Sequence, residues 1–389
     1  MLVREPRTAG RRPLITSCVL GDIDLVRALG LAGIRSAVMT RAGSPSRYSR
    51  STACVLEHVD ARSSPELRVE RLLDFAGEQL EPPVLFYDGD WDALLISRLR
   101  ARLTGKLHFV CADAELVESL IDKERFQALA ARTGLPVPRA QPLMAANGGS
   151  AAIDLRYPVV IKPLTRHQST WAPLARAKAM RADDARQLAR IAEELAAVGV
   201  DALVQEAVLG AETRIESYHV YVGSDGTVAA EFTGRKVRTF PAGYGYSTAL
   251  EITAERDVLE AGRAAVEAIG LTGVAKLDFK RDVDGALHLL EVNPRFNLWH
   301  HPGALAGVNI PAIVHTHLTT GSLPPSTRAR AGVRWCSPAS DLRAARLEGW
   351  STTSWLRWAA GCEAKSGFAW SDPLPLPRAL LARKIAGRS

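Results

Sequence analysis

Two carboxylates thirteen residues apart, Asp278 and Glu291, stand on the two arms of a segment that reads as a β-hairpin, and Asn293 follows the second of them. Alternation along a strand turns Asp278 away from Leu277 and Phe279. It also puts Glu291 and Asn293 on one face of the other arm, so three oxygen-bearing side chains converge. Hard oxygen ligands on adjacent strands suit magnesium bridged to phosphate. The plainer alternative is the solvated face of an antiparallel hairpin, which alternates polar with apolar in the same way.

The cations sharpen the choice. Of the 49 basic residues only nine are lysine and forty are arginine, so a lysine here is informative. Lys123, Lys162, Lys178, Lys236 and Lys276 lie where a point charge could reach a nucleotide. Lys123 follows Asp122 at the start of, or within, a helix. Lys162 ends the strand Val159–Lys162, and Lys276 shares the face of Asp278 two residues on. Any one of them alone would read as a surface lysine. Their coincidence with strand ends and with the acid pair points to a triphosphate.

These residues need elements to hold them. Leu14–Leu20, Ile34–Thr40, Val84–Tyr87 and Leu107–Cys111 read as buried strands, with helices at Asp22–Leu31 and Trp91–Leu103, so residues 13–112 form a parallel α/β layer. Gly21 stands alone where a dinucleotide fold wants G-x-G-x-x-G, which argues against an NAD site. A helix from Glu115 to Thr133 should stop at Gly134, and Leu135-Pro-Val-Pro138 forces an extended connection. Further on, the pattern predicts a helix over Asp183–Val198, strands at Ala202–Gln205, Thr213–Val222 and Thr227–Thr233, and a helix at Glu255–Ile269. A hairpin then joins Val274–Arg281 to Ala286–Val292 around Asp282-Val-Asp-Gly285. The cationic, then glycine-rich run Gly234–Ser247 suggests a mobile loop closing over an anionic carboxylate substrate, or else an exposed hairpin loop. His300 and His301 either line an acceptor pocket or are packed.

Composition narrows the classes. The chain has 389 residues, 47% hydrophobic and 23% charged, which excludes disordered and fibrous proteins. Its formal charge of +7 sits at the ends, +3 over residues 1–12 and +4 over residues 378–389, leaving the 365 residues between neutral. A nucleic-acid partner is therefore not required, and binding through the tails alone would vanish with them. Five scattered cysteines without a C-x-x-C pair argue for reduced thiols and a cytoplasmic location rather than a disulfide framework or a zinc site. No apolar run reaches membrane-helix length, so no membrane partner is expected, and the Arg-rich start reads as a frayed leader rather than a targeting signal.

Taken in order, Asp122-Lys123-Glu-Arg-Phe126 with Gly134-Leu-Pro-Val-Pro138, Tyr157-Pro-Val-Val-Ile-Lys162-Pro163, Val204-Gln-Glu-Ala-Val-Leu-Gly-Ala-Glu212, Lys276-Leu-Asp278 and Glu291-Val-Asn293-Pro-Arg295 resemble the ATP-grasp superfamily. The resemblance is closer to its carboxylate–amine ligase branch, the D-aspartate-ligase-like and amino-acid-ligase enzymes, and covers about residues 14–320. It implies that Lys123 and Lys162 hold the α- and β-phosphates, with Lys178 nearby. Gln205, Glu206 and Val208 would line the adenine, and Glu212 would grip the ribose. It implies further that Asp278, Glu291 and Asn293 hold magnesium, in two ions, while Lys276, Arg295 and Lys236 face the transferred phosphate and the acyl intermediate. One departure is the glycine-free stretch 164–178, where relatives carry a glycine-rich lid and this chain offers Arg166, His167 and Arg176.

The expected architecture is α/β and α+β. A basic leader (1–12) precedes an N-terminal parallel α/β (pre-ATP-grasp) domain (13–120), a two-lobed ATP-grasp domain (small lobe 121–203, large lobe 204–325) and a C-terminal extension (326–389). In that extension Trp335, Trp350, Trp355, Trp358 and Trp370 suggest apolar surface docked on the main body or on a second subunit, giving a homodimer. The implied function is an ATP-dependent ligase forming an amide or peptide bond between small carboxylate and amine substrates, amino acids or their derivatives, through an acyl-phosphate. The alternative is a non-ligating ATP-binding regulatory or partner protein.

Overall fold

Short apolar runs, too short to bury a face alone, stack into the first sheet. In the computed structural model, which describes residues 15–147, 153–164, 171 and 178–386, β1 (Ser17–Leu20), β2 (Ser36–Met39), β3 (Thr52–Leu56) and β4 (Val84–Tyr87) run parallel in the order β3-β2-β1-β4. β1, β2 and β4 are buried along their whole length, as parallel strands covered by crossover helices must be. Sequence spacing leaves β3 and the helix Pro65–Gly77 unassigned. β3 is a half-buried edge without clean alternation, whereas the helix buries Val69, Leu72, Phe75 and Ala76 at helical spacing. Leu107–Cys111, expected as a strand, makes only isolated parallel bridges, Leu107 to Thr104 and His108 to Val84, before Asp113 caps the next helix.

The long helix expected over 115–133 is two helices, Ala114–Ile121 and Lys123–Thr133. Asp122 separates them. Its backbone is extended (φ −80°, ψ 128°) and its carboxylate accepts from the amides of Glu124 and Arg125, the behaviour of an N-cap. Lys123 thereby becomes the first residue of the second helix. Likewise the helix expected over 91–103 breaks at Leu99 into Asp90–Arg98 and Arg100–Leu103.

A second, antiparallel sheet follows, with β5 (Ala140–Leu143), β6 (Val159–Pro163), β7 (Met180–Ala182) and β8 (Ala202–Glu206) in the order β5-β8-β6-β7. The helix Ala185–Ala197 covers it through Leu188, Ala192 and Leu195.

The third sheet has seven strands, β9 (Ile215–Val222), β10 (Val228–Phe240), β11 (Tyr246–Thr253), β12 (Gly273–Arg281), β13 (Leu287–Asn293), β14 (Arg334–Cys336) and β15 (Ala364–Lys365), ordered β13-β12-β9-β10-β11-β14-β15. One face, with Tyr218, Val220, Leu277, Phe279 and Leu289, joins the core that includes Val258, Ala265 and Val266 of the helix Arg256–Ala268. The other presents the polar cluster described below. Segment 234–247 is therefore not a mobile loop. β10 runs on to Phe240, bonded to β9 as far as Arg235 and to β11 from Thr233 to Phe240, and only residues 241–245 turn. Gly234 serves contact rather than motion, since a Cβ there would lie 2.3 Å from the Trp299 ring and 2.9 Å from the Glu251 carbonyl. Residues beyond 325 join the same sheet, because β14 pairs with β11 and β15 with β14.

Candidate active site

The pairing of β12 with β13 sets Asp278 opposite Glu291 and Lys276 opposite Asn293, so the four side chains occupy neighbouring positions on one face. On the other side of β12, β9 sets Ser217 beside Asp278 and His219 beside Lys276. Asp278 is 1% exposed. Its Oδ1 accepts from Ser217 Oγ at 2.5 Å, and its Oδ2 faces Lys276 Nζ at 2.7 Å and Lys236 Nζ, from β10, at 3.3 Å. Burial works to raise the Asp278 pKa, but the two ammonium groups override it and hold the carboxyl below its ordinary range. Burial and the neighbouring Lys236 push Lys276 down against the pull of Asp278, whereas in Lys236 the attraction of Asp278 and Glu291 outweighs burial and raises it.

Asn293 donates through Nδ2 to Glu291 Oε1 at 3.2 Å and accepts from Arg295 through Oδ1 at 3.5 Å. Arg295 in turn pairs through Nε with Asp90 at the start of the helix after β4, so the N-terminal sheet reaches into the cluster. Glu212 lies between β8 and β9, with one oxygen 2.7 Å from Lys280 Nζ and the other buried without a hydrogen-bond partner. An unpartnered buried acceptor is costly unless a donor arrives, which suits a hydroxyl-bearing ligand.

A second group lies on the four-stranded sheet. Lys162 Nζ donates to Gln205 Oε1 at 2.7 Å across the β6–β8 pair, and Lys123 Nζ donates to the Pro163 carbonyl. Glu206 is occupied by the Arg156 guanidinium at 2.8 Å and the Arg156 amide at 3.1 Å, contacts that hold its carboxyl low against the upward push of burial. Val208 follows β8, half-buried. Lys178 sits over the Tyr246 ring at 4.1 Å, bringing the small sheet's edge against β11. Arg166, His167 and Arg176 lie outside the described residues.

The expected residues thus form two constellations, Lys236, Lys276, Asp278, Glu291, Asn293, Arg295 and Glu212 on the large sheet, and Lys123, Lys162, Gln205 and Glu206 on the small one. Arg235 and Arg238 do not join them, since Arg235 pairs with Glu251 and Arg238 with Asp341. His300 and His301 are both buried. His300 is fully buried among Phe232, Phe296 and His219, which pushes its pKa down to about 3, and His301 is 3.0 Å from buried Asp24. Ser217, Asp90 and Lys280 escape the sequence reading. Ser217 and Asp90 become visible only through non-local pairings, whereas Lys280, two residues after Asp278, also carries a local signal.

A parallel α/β sheet, a small antiparallel sheet and a large one bearing acids, amide and lysines define an ATP-grasp fold. Residues 201–338 match the family described as ATP-grasp in the biosynthetic pathway with Ter operon. D-alanine–D-alanine ligase from Pseudomonas putida (strain GB-1) is 24% identical over 206 residues, 49% of this chain and 58% of that protein, so the match spans little more than half of the curated relative's length. Among solved structures, N5-carboxyaminoimidazole synthetase from Staphylococcus aureus has a TM-score of 0.62 at 14% identity, covering 85% of this chain and 84% of that one. L-amino acid ligase from Bacillus licheniformis has a TM-score of 0.59 at 13% identity, covering 79% and 77%. No helix among the described residues is long and apolar enough to cross a membrane.

Proposed function

We propose that this chain is an ATP-dependent carboxylate–amine ligase, acting on small substrates such as amino acids and releasing ADP and phosphate. The observation that carries the reading is the cluster of Lys236, Lys276, Asp278, Glu291, Asn293 and Arg295 on one sheet face. It gathers charge of both signs where phosphoryl transfer needs positioning and neutralisation rather than covalent help.

In this reading a carboxylate oxygen of the first substrate attacks the γ-phosphorus and ADP leaves, giving an acyl-phosphate. The amine nitrogen then attacks the acyl carbon and phosphate departs with the carboxylate oxygen. Lys123 and Lys162, the latter oriented by Gln205, bind the α- and β-phosphates, with Lys178 as a further cation for the nucleotide. The β8 exit at Gln205–Val208 takes the adenine. Glu206, committed to Arg156, acts there by fixing the backbone. The free oxygen of Glu212 takes a ribose hydroxyl. Lys236 meets the γ-phosphate, while Lys276 and Arg295 face the oxyanion of the tetrahedral intermediate.

The donor set also suits a hard cation. Among the described residues no group of three or more His, Cys, Asp or Glu gathers as an all-protein cage. What does gather is two carboxylates and an amide, the partial oxygen set that magnesium completes with phosphates and water. Asp278, Glu291 and Asn293 would hold it, and when bound it neutralises charge on the β- and γ-phosphates.

The test supplies the purified protein with ATP, magnesium and pooled amino acids whose carboxylates carry ¹⁸O. Acceptor-dependent phosphate containing ¹⁸O is the expected product. Phosphate without the label would reject the acyl-phosphate, and ATP binding with no acceptor-dependent release would reject the ligase.

A further inference from the structure

We infer that the buried pair Arg238–Asp341 is a positioning device, by which the C-terminal segment fixes the aim of Lys236 at the terminal phosphate; this rests on the role given to Lys236 above. Regular alternation would put Lys236 and Arg238 on one face of β10. The register forbids it. Lys236 pairs with Leu250 and Arg238 with the adjacent Ala249, so Val237 is an extra residue and β10 carries a β-bulge, which β11 answers with its own extra residue, Thr248, before Thr239 pairs with Ser247. A bulge of this kind redirects side chains, often beside active sites. Here it sends Lys236 to Asp278 at 3.3 Å, while Val237 and Arg238 turn to the other face.

That other face is occupied by residues from beyond the end of β14. Arg238 Nε and one terminal nitrogen each lie 2.8 Å from an oxygen of Asp341, on the helix Pro338–Leu347, and the two side chains are 2% and 0% exposed. Asp341 also accepts from Thr248 Oγ1 at 3.0 Å and Trp355 Nε1 at 2.9 Å. The guanidinium carbon lies 4.1 Å from the ring centre of Trp358 and 4.8 Å from that of Trp350. Three groups thus hold the Arg238 side chain, and two more, Thr248 and Trp355, hold the Asp341 that pairs with it.

Stability does not explain such an arrangement, since apolar residues of similar volume often replace a buried ion pair at no loss. Register does. Slipping a strand by one residue sends every side chain to the opposite face, and a bulge is where β10 could slip. Pinning Arg238 fixes which residue is the extra one, and so keeps Lys236 on the face of Asp278.

The experiment compares Lys236→Ala, Asp341→Asn and the apolar exchange Arg238→Met/Asp341→Leu in the full chain. Melting curves confirm folding, and Trp350→Ala, which removes one stacking ring without stranding a charge, serves if a buried variant fails to fold. Calorimetry then reads the ratio of ATP to ADP affinity, which depends on a cation at the γ-phosphate and needs no acceptor. Lys236→Ala should lower the ratio roughly tenfold, Asp341→Asn and the apolar exchange should lower it comparably, and adding Lys236→Ala to either should lower it no further. Turnover should fall about 10²-fold with little change in the KM for the amine. A folded apolar exchange with the wild-type ratio, or a Lys236→Ala that leaves the ratio intact, overturns the proposal. Wild-type protein that discriminates ATP from ADP through the clamp but transfers no label rejects the ligase reading and leaves the clamp standing.

Discussion

Asp278 is charged although buried, because two lysines and a serine hydroxyl replace the water it lost. Removing that charge strands both ammonium groups. Asp278→Asn and Glu291→Gln are each expected to cut magnesium-dependent phosphate release by ~10²-fold or more, read by a coupled phosphate assay, with the fold retained by circular dichroism. Glu212 makes a separate prediction. With one oxygen on Lys280 and the other unpartnered, Glu212→Gln should erase most of the preference for ATP over 2′-deoxy- and 3′-deoxy-ATP. Competition binding against a fluorescent nucleotide measures this, and a preference retained in the variant would remove Glu212 from the ribose. These side chains were marked as candidates because lysine is scarce in an arginine-rich chain. Ser217 and Asp90 were not, since nothing near them in sequence marks their partners 61 and 205 residues away.

Elements set the accuracy of these placements. Asp122 ends one helix and caps the next, which starts the second helix at Lys123. Asp122→Ala should cost ~1 kcal/mol in urea unfolding and should also raise the ATP Kd, whereas Asp122→Ser should restore both. The hairpin Gly273–Arg281 to Leu287–Asn293 was readable because its turn residues and its alternation agree. The run 234–247 misled because glycine signals mobility and close packing alike. Which of the two Gly234 serves depends on Trp299, a ring 65 residues later.

Across the whole molecule, the parallel and seven-stranded sheets share apolar cores, and charged side chains link the sheets as well. Asp88, at the end of β4, lies against Gly21 and accepts from the Asp22 amide at 2.7 Å. Burial first, and then the Asp22 carboxylate, raise its pKa from 3.8 to about 8. A carboxyl that binds its proton more tightly when folded contributes stability at low pH and loses it as pH rises through the folded value. Asp88→Asn should therefore melt above wild type at pH 8 and match it near pH 4, by scanning calorimetry; a gain of equal size at both pH values would remove Asp88 as the cause. The C-terminal segment is likewise structural. Deleting residues 326–389 leaves the β11 edge unpaired and Arg238 without Asp341, and the truncated chain is expected to aggregate, as read by light scattering.

By itself the sequence determined the local matters, namely most strands and helices from periodicity and the hairpin from its turn, and its rare lysines beside paired carboxylates supplied the proposal for the ligand. These depend on residues within a few positions of one another, and short-range sterics and hydrogen bonding decide them. Tertiary structure alone decided register and face. A single unpaired residue in β10, Val237, separates Lys236 from Arg238, and only strands brought together from distant parts of the chain reveal it. The physical reason is that alternation has a period of two, so one inserted residue, invisible to a local pattern, reverses the direction of every side chain beyond it.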